Sequence, residues 1–242
     1  MNAFKNIIYP FTTESISGYM PFMNVDEKSV LTVGSSLDQA LSACLYGAKD
    51  VTVMDINSMT KDYLKYKLHL LKECTNFDEF YNMIAYSNVL PLSKEEMFSL
   101  NALRNMCPYM KDWDSFSRLK KKVNDTKFSF IEGNIFDMDN VLGDKKYDSM
   151  ILSNILQYVE MYRGDKTAKE FIKDNFEMFL NHINDKGILQ LMYVYCYEGN
   201  NQFVGFSTYD LLNALVDYPL EMVTFPNGNV RDAAFLYTKK VR

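Results

Sequence analysis

The chain has 242 residues, 48% of them hydrophobic and 24% charged, with a net charge of -5. That is enough apolar material for one well-buried α/β domain, or one domain carrying a sizeable insertion, and it excludes wholesale disorder. An acidic balance with no clear basic face argues against a nucleic acid as main partner, because Lys120-Lys121-Lys122 is short and reads as a solvated helix end.

Met1 to Thr13 lacks the apolar core of a signal peptide, and no later stretch has the length to span a bilayer. The expectation is a cytoplasmic protein with no integral membrane contact. Cys44, Cys74, Cys107 and Cys196 are scattered and form no C-x-x-C pair, so they are expected to be reduced thiols. His69 and His182 are the two histidines, each in a helical stretch, and no G-x-S-x-G turn occurs. Neither a histidine metal site nor a Ser-His-Asp arrangement is expected.

In chain order, Ser29 to Val33 is an apolar, β-branched run ending at Gly34, as a buried parallel strand would be. Helical spacing runs from Gln39 to Tyr46, with Gly47 as a stop. Val51 to Met54 is a second buried strand ending at Asp55, and Ser58 is expected to cap a helix from Met59 to Leu71. Residues 74 to 125 break the alternation and read as a helical insertion. Its signals are a capping box at Ser93 and Glu96, and Met97, Leu100, Leu103 and Met106 at three- and four-residue spacing. The insertion is long enough to cap one end of a sheet as a lid, and Trp113 and its methionines are expected in the core.

Alternation resumes with strands at Phe128–Glu132 and Asp148–Leu152, a helix over Lys166–Asn181 and a strand at Ile188–Tyr193. Ser207 or Thr208 can cap a helix through Leu215. Glu221–Phe225 and Ala233–Thr238, joined by Asn227-Gly228, read as a closing antiparallel hairpin. The expected fold is therefore a single doubly wound, mostly parallel, seven-stranded Rossmann-like sheet, with that hairpin at its edge and the helical insertion over about 74–125.

Parallel sheets of this kind bind ligands at the carboxyl ends of their strands. Gly34 permits a sharp first turn, Ser35 and Ser36 are small enough for a ligand to approach the backbone, and Asp55 lies about twenty residues on, where a carboxylate can accept ribose hydroxyls. Singly each is an ordinary turn residue; together, in a strand-helix-strand frame, they point to a nucleotide-type ligand. A pyrophosphate wants a glycine-rich helix start without a carboxylate. Here the later glycines of G-x-G-x-x-G are missing and Asp38 stands at the helix start, which favours a cationic ligand over NAD.

Outside the insertion the chain resembles the class I S-adenosylmethionine-dependent methyltransferases. Val30-Leu-Thr-Val-Gly-Ser-Ser-Leu-Asp38 is similar to their first motif and Val53-Met-Asp55 to their second. Gly133-Asn-Ile-Phe-Asp137 is similar to the segment bordering the adenine, and Tyr147-Asp-Ser-Met-Ile-Leu-Ser-Asn154 to the fourth motif. The resemblance implies S-adenosylmethionine as cofactor, held by Gly34, Ser35, Ser36, Asp38, Asp55, Ile56, Asn134, Ile135 and Ser153, with Ser153 and Asn154 facing the acceptor. Departures are Thr32 in place of an acidic residue, Ser36 and Asp38 where later glycines are usual, and Asn134 in place of an aspartate. Asp38 is expected to take over the ammonium contact.

Ser153-Asn154 is not the Asn/Asp-Pro-Pro-Tyr of base-amino methylation, so the implied activity is methyl transfer to a small molecule. Gly34-Ser-Ser-Leu-Asp38, Asp55-Ile-Asn57 and Leu152-Ser-Asn154 also resemble the transferases of betaine-lipid synthesis, which move the 3-amino-3-carboxypropyl group of the same cofactor. A third reading is a non-catalytic binding protein on the same fold. Tyr9-Pro-Phe-Thr-Thr-Glu14 can fold over the cleft or serve as a packing arm. Tyr193, Tyr195, Tyr197, Phe203 and Phe206 read more readily as core and interface than as an acceptor pocket.

Overall fold

The computed structural model describes residues 8–87, 99–159, 168–196, 202–203, 206–207 and 218–241. The apolar runs become strands β1 (Ser29–Val33), β2 (Asp50–Asp55), β3 (Lys127–Glu132), β4 (Tyr147–Ile151) and β5 (Ile183–Val194). The two-residue strands β6 (Gln202–Phe203) and β7 (Phe206–Ser207) pair only with each other, and β8 (Glu221–Asn227) and β9 (Val230–Thr238) form the closing hairpin. The main sheet has seven strands in the order β3-β2-β1-β4-β5-β9-β8. Strands β1 to β5 run parallel, and β9 is antiparallel to both β5 and β8. This is the doubly wound Rossmann-like sheet with an antiparallel edge that the alternation predicts.

Alternate residues of each strand face opposite sides of the sheet. Leu31 and Met150 pack with Phe171 and Phe179 on one face, whereas Val30, Val51 and Ile151 pack with Tyr19, Ala40 and Tyr63 on the other. Both faces are thus dry along β1, β2 and β4, as central parallel strands require, while the edge strand β3 is half-exposed. The helices that cover them are α1 (Ile16–Tyr19), α2 (Asp38–Leu45), α3 (Thr60–Glu73), α4 (Phe77–Ala85), α5 (Leu100–Met106), α6 (Trp113–Lys122), α7 (Met138–Leu142) and α8 (Ala168–Asn181).

Several local expectations are corrected. Ser58 does not cap α3; the Asn57 side chain instead accepts the Met59 N–H at 3.1 Å, a tighter local turn that starts the helix one residue late. His182 lies just past α8, bonded to the Lys145 carbonyl and to Asp139. Trp113 is 49% exposed at the first position of α6, where it lies beside the Phe116 ring rather than in the core. The capping box at Ser93 and Glu96, Met97, the helix through Leu215 with its cap at Thr208, and Tyr197 lie outside the described residues; of Ser207, only its backbone pairing in β7 is described.

The described part of the insertion packs sideways. Phe80, Leu103, Tyr109, Phe116 and Leu119 bury against Leu41 and Leu45 of α2 and Leu70 and Leu71 of α3. At its centre Asp38 and Lys67, both fully buried, meet at 2.6 Å. Asp38 also accepts the Tyr109 hydroxyl at 2.6 Å and the Thr12 N–H, and Lys67 donates to the Ser36 carbonyl at 2.7 Å. The ammonium sits over the rings of Phe11 and Tyr63, 4.8 and 5.2 Å from their centroids. Burial pulls the Lys67 pKa down, against the attraction of Asp38. One ion pair thereby ties together the first turn, α3, the insertion and the N-terminal arm.

Removing one member of such a pair strands the other in a dry interior, which costs about 3–5 kcal/mol. Lys67→Ala should lower the unfolding free energy by that amount in urea titration, and pairing Lys67→Met with Asp38→Asn should recover most of it. A Lys67→Ala loss below about 1 kcal/mol, the range of an exposed pair, would contradict this role.

Candidate functional site

A cleft opens at the carboxyl ends of β1, β2, β3 and β4. It straddles the β1–β4 boundary, where the strand order reverses. Each of the four strands delivers one turn to it. Gly34 and Ser35 follow β1, Asp55, Ile56 and Asn57 end β2, Gly133 to Phe136 follow β3, and Ser153 to Ile155 follow β4. Tyr9, from the N-terminal arm, and Tyr158 add aromatic wall.

The first turn is shaped by its contact with Asp55. A Cβ on Gly34 would stand 2.2 Å from Asp55 Oδ2, so only glycine lets the chain pass this carboxylate. Ser35 then donates its N–H to Asp55 at 3.2 Å. Ser35 and Leu37 hold φ values of 42° and 70°, left-handed conformations that L residues adopt at a cost of about 1–3 kcal/mol each. The carboxylate further accepts the Asn57 N–H and the Thr60 hydroxyl, both at 2.9 Å. Burial pushes the Asp55 pKa up, and these hydrogen bonds pull against it. The Thr60 hydroxyl is a rotor that can yield its place to a ligand hydroxyl.

After β3, the Asn134 side chain accepts the Phe136 N–H at 3.0 Å, turning Ile135 and Phe136 inward at the cleft. After β4, Ser153 has φ 59° and is clamped by Gln190 of β5. The Gln190 amide oxygen accepts the Ser153 N–H at 2.8 Å, and its NH₂ donates to the Ser153 carbonyl at 3.2 Å. The Ser153 hydroxyl donates in turn to Glu14, a residue 2% exposed. Glu14 also receives the Gln39 amide at 3.3 Å, the Tyr19 hydroxyl at 3.4 Å and the Asn154 N–H. All of these donors are neutral, and burial raises the Glu14 carboxyl from an ordinary 4.5 to about 7.

Of the residues singled out from sequence, Gly34, Ser35, Asp55, Ile56, Asn134, Ile135, Ser153 and Asn154 line this cleft together. Ser36 and Asp38 lie behind it, fully buried, with the Asp38 carboxylate already occupied by Lys67, Tyr109 and Thr12. Thr32 turns its hydroxyl to the Val33 carbonyl, inside the sheet. Tyr193 is buried among Tyr19, Tyr195 and Phe225 and bonds to Asp232, and neither Tyr193 nor Tyr195 lines the cleft. The side chains of Phe203 and Phe206 lie outside the described residues. No lining residue comes from the described part of the insertion, whose apolar faces pack on α2 and α3.

The N-terminal arm packs against the body of the protein and also borders the cleft. Tyr9 reaches the cleft, while Phe11 stacks on Tyr81 at 5.4 Å and Pro10 accepts the Tyr63 hydroxyl at 2.6 Å. Sequence reasoning passed over Glu14 and Gln190. Gln190 did leave a signal, as the one polar side chain in the apolar run Ile188 to Val194 apart from Tyr193. Glu14 left none, because its burial is created by contacts with residues far along the chain.

In chemical terms the cleft is anionic. Among the described residues that line it there is no Lys, Arg or His; Asp55 is in the wall, and Glu14 stands one hydroxyl behind it. Such a site repels phosphate and suits a ligand with ribose hydroxyls and a positive charge.

No protein-family model matches this sequence, and no characterised protein matches it at sequence level. Similar solved structures exist. They include magnesium protoporphyrin IX methyltransferase from Synechocystis PCC 6803 (12% identity, 93% of this chain and 76% of that one, TM-score 0.46). An rRNA methylase from Streptococcus thermophilus matches at 9% identity over 96% and 99% of the two chains, TM-score 0.47. A methyltransferase from Pyrococcus furiosus matches at 12% identity over 93% and 81%, TM-score 0.46. At these values the likeness adds nothing to what the strand order already establishes.

The raised Glu14 carboxyl gives a signed prediction. Folded, it holds its proton up to about pH 7, whereas in the unfolded chain it ionises near 4.5. Its contribution to stability is therefore full below pH 4.5, falls as pH rises towards 7, and is level beyond. At about 1.4 kcal/mol per pH unit the total is roughly 3 kcal/mol. Urea titrations of wild type and Glu14→Gln across that window should show this difference opening; parallel curves would contradict it.

Proposed function

We propose that this cleft binds S-adenosylmethionine and that the chain is a methyltransferase acting on a small-molecule acceptor. The observation that carries this reading is the contact of Gly34 with Asp55 at the β1–β2 strand ends, in a cleft whose described wall has a carboxylate and no cation. Asp55 would accept the ribose hydroxyls, Asn134 and Ile135 would border the adenine, and Ser153 and Asn154 would face the acceptor. Ser35 offers a strained backbone close to the ligand. Ser36 and Asp38 act from behind, by holding the first turn on α3.

The bound cofactor supplies a sulfonium, whose attached carbon is open to attack by a nucleophile. The protein's part is to align the two partners and exclude water, which accounts for large rate factors without any covalent residue. The apolar and aromatic wall formed by Ile155, Phe136, Tyr9 and Tyr158 fits a small organic acceptor better than a polyanion.

Calorimetric titration tests this. S-adenosylmethionine and S-adenosylhomocysteine should both bind wild type, Asp55→Ala should weaken both at least tenfold, about 1.4 kcal/mol, and Gly34→Ala should abolish binding by driving a methyl into the carboxylate. In turnover, S-adenosylhomocysteine should accumulate; methylthioadenosine would instead identify aminocarboxypropyl transfer. A folded wild-type protein that binds none of these ligands would sink the proposal.

A further inference from the structure

The Asp38 carboxylate is neutralised by Lys67, so it cannot serve as counter-charge for a cation in the cleft. A second carboxylate stands where one is needed. Glu14 is buried at the tip of the N-terminal arm, and two wall residues donate to it, Ser153 through its hydroxyl and Asn154 through its N–H. We propose that Glu14, acting through Ser153, is the counter-charge of the cleft: it ionises as a cationic ligand binds, and so selects a cationic ligand over a neutral one of similar shape. This rests on the reading that the cleft takes S-adenosylmethionine.

Three features support it. Among the described residues no cation holds Glu14: the titratable groups around it are Tyr19 of α1, Tyr193 and Tyr195 of and after β5, and, beyond Tyr193, Asp232 of β9. On the arm's other side, Thr12 separates it from the closed Asp38–Lys67 pair. An unpaired buried carboxyl of this kind is stable when neutral and becomes stable as an anion only when a positive charge arrives.

The second feature is Gln39. Its NH₂ donates to Glu14 while its own amide oxygen, buried, has no partner. With the amide turned over, that oxygen accepts the proton of a neutral Glu14; as it stands, the NH₂ serves the anion. The same side chain thus satisfies both protonation states. The third feature is the Gln190 clamp, which holds Ser153 in a left-handed conformation that places its hydroxyl on Glu14. Here Ser153 is the group that meets the ligand, and Glu14 is a positioning residue that works through it.

Because a cation favours the anion of Glu14, affinity for the cation rises as pH climbs through about 7, and binding below that pH releases a proton. A unit charge one bridging hydroxyl away is worth about one pK unit or more, hence about tenfold in affinity. The ligand's own α-amino group titrates near pH 8, so wild type must be compared with Glu14→Gln at each pH.

The test is calorimetric titration of the full chain with S-adenosylmethionine, S-adenosylhomocysteine and methylthioadenosine from about pH 6 to about pH 8. The ratio of wild-type to Glu14→Gln affinity should rise about tenfold over this range for S-adenosylmethionine and stay flat for methylthioadenosine, which carries no charge. S-adenosylhomocysteine following the first locates the ammonium beside Ser153, and following the second locates the sulfonium there; either outcome supports the proposal. A measurement on wild type alone guards against a variant that fails to fold. At about pH 6.5, where the ligand amine is already protonated, binding of S-adenosylmethionine in two buffers of different ionisation heat should report release of about half a proton. S-adenosylmethionine binding with a flat ratio and no proton release overturns the role of Glu14 and leaves the functional reading standing. Absence of S-adenosylmethionine binding to wild type overturns both.

Discussion

The buried pair of Asp38 and Lys67 is the constraint on which the architecture of the site depends. Asp38 opens α2 directly behind the first turn, and a carboxylate there, fully out of water, must be matched by a cation and hydrogen-bond donors. Lys67 of α3, Tyr109 of the insertion and the Thr12 N–H supply them. Satisfying one side chain therefore draws four separate segments together. The described part of the insertion is docked beside α2 and α3 for this reason, and the N-terminal arm is pulled across α2 so that Glu14 arrives under Ser153.

The electrostatic consequence follows from the same pair. With Asp38 cancelled, the negative character of the cleft comes from Asp55, in its wall, and from Glu14, behind it. The two differ in kind. Asp55 is held by backbone and hydroxyl donors at a strand end, a geometry suited to directional hydrogen bonds with ligand hydroxyls. Glu14 is boxed in by neutral donors and tyrosines, so its charge depends on what enters the cleft. The wall thus combines a fixed acceptor for hydroxyls with a conditional counter-charge for a cation. The left-handed φ values at Ser35 and Ser153 fall on the two residues that donate to these carboxylates.

Much of the fold could be read in the sequence because buried parallel strands are continuous apolar runs, and these end in small or acidic residues where the chain turns. Ser29–Val33 into Gly34 and Val51–Met54 into Asp55 are such cases, whereas the turns after β3 and β4 were singled out by the family resemblance. What could not be read depends on distant partners. The local pattern placed Asp38 at a helix start, correctly, but its partner Lys67 lies on another helix and Tyr109 some seventy residues away, so a structural carboxylate looked like a ligand contact. Trp113 looked like core by composition, yet α6 already fills its buried stripe with Phe116 and Leu119. Glu14, in an arm with no periodic pattern, acquires its role only through Ser153, Gln39 and Tyr19.

The most direct test of the central claim, an anionic cleft built for a nucleoside that carries a positive charge, is thermal unfolding of the wild-type chain with S-adenosylmethionine and, separately, with NAD. A ligand at about a hundred times its dissociation constant adds roughly 2.7 kcal/mol, which for a domain of this size raises Tm by on the order of 5–10 °C. The account predicts that shift with S-adenosylmethionine and none with NAD. Stabilisation by NAD, or by neither ligand, would contradict it.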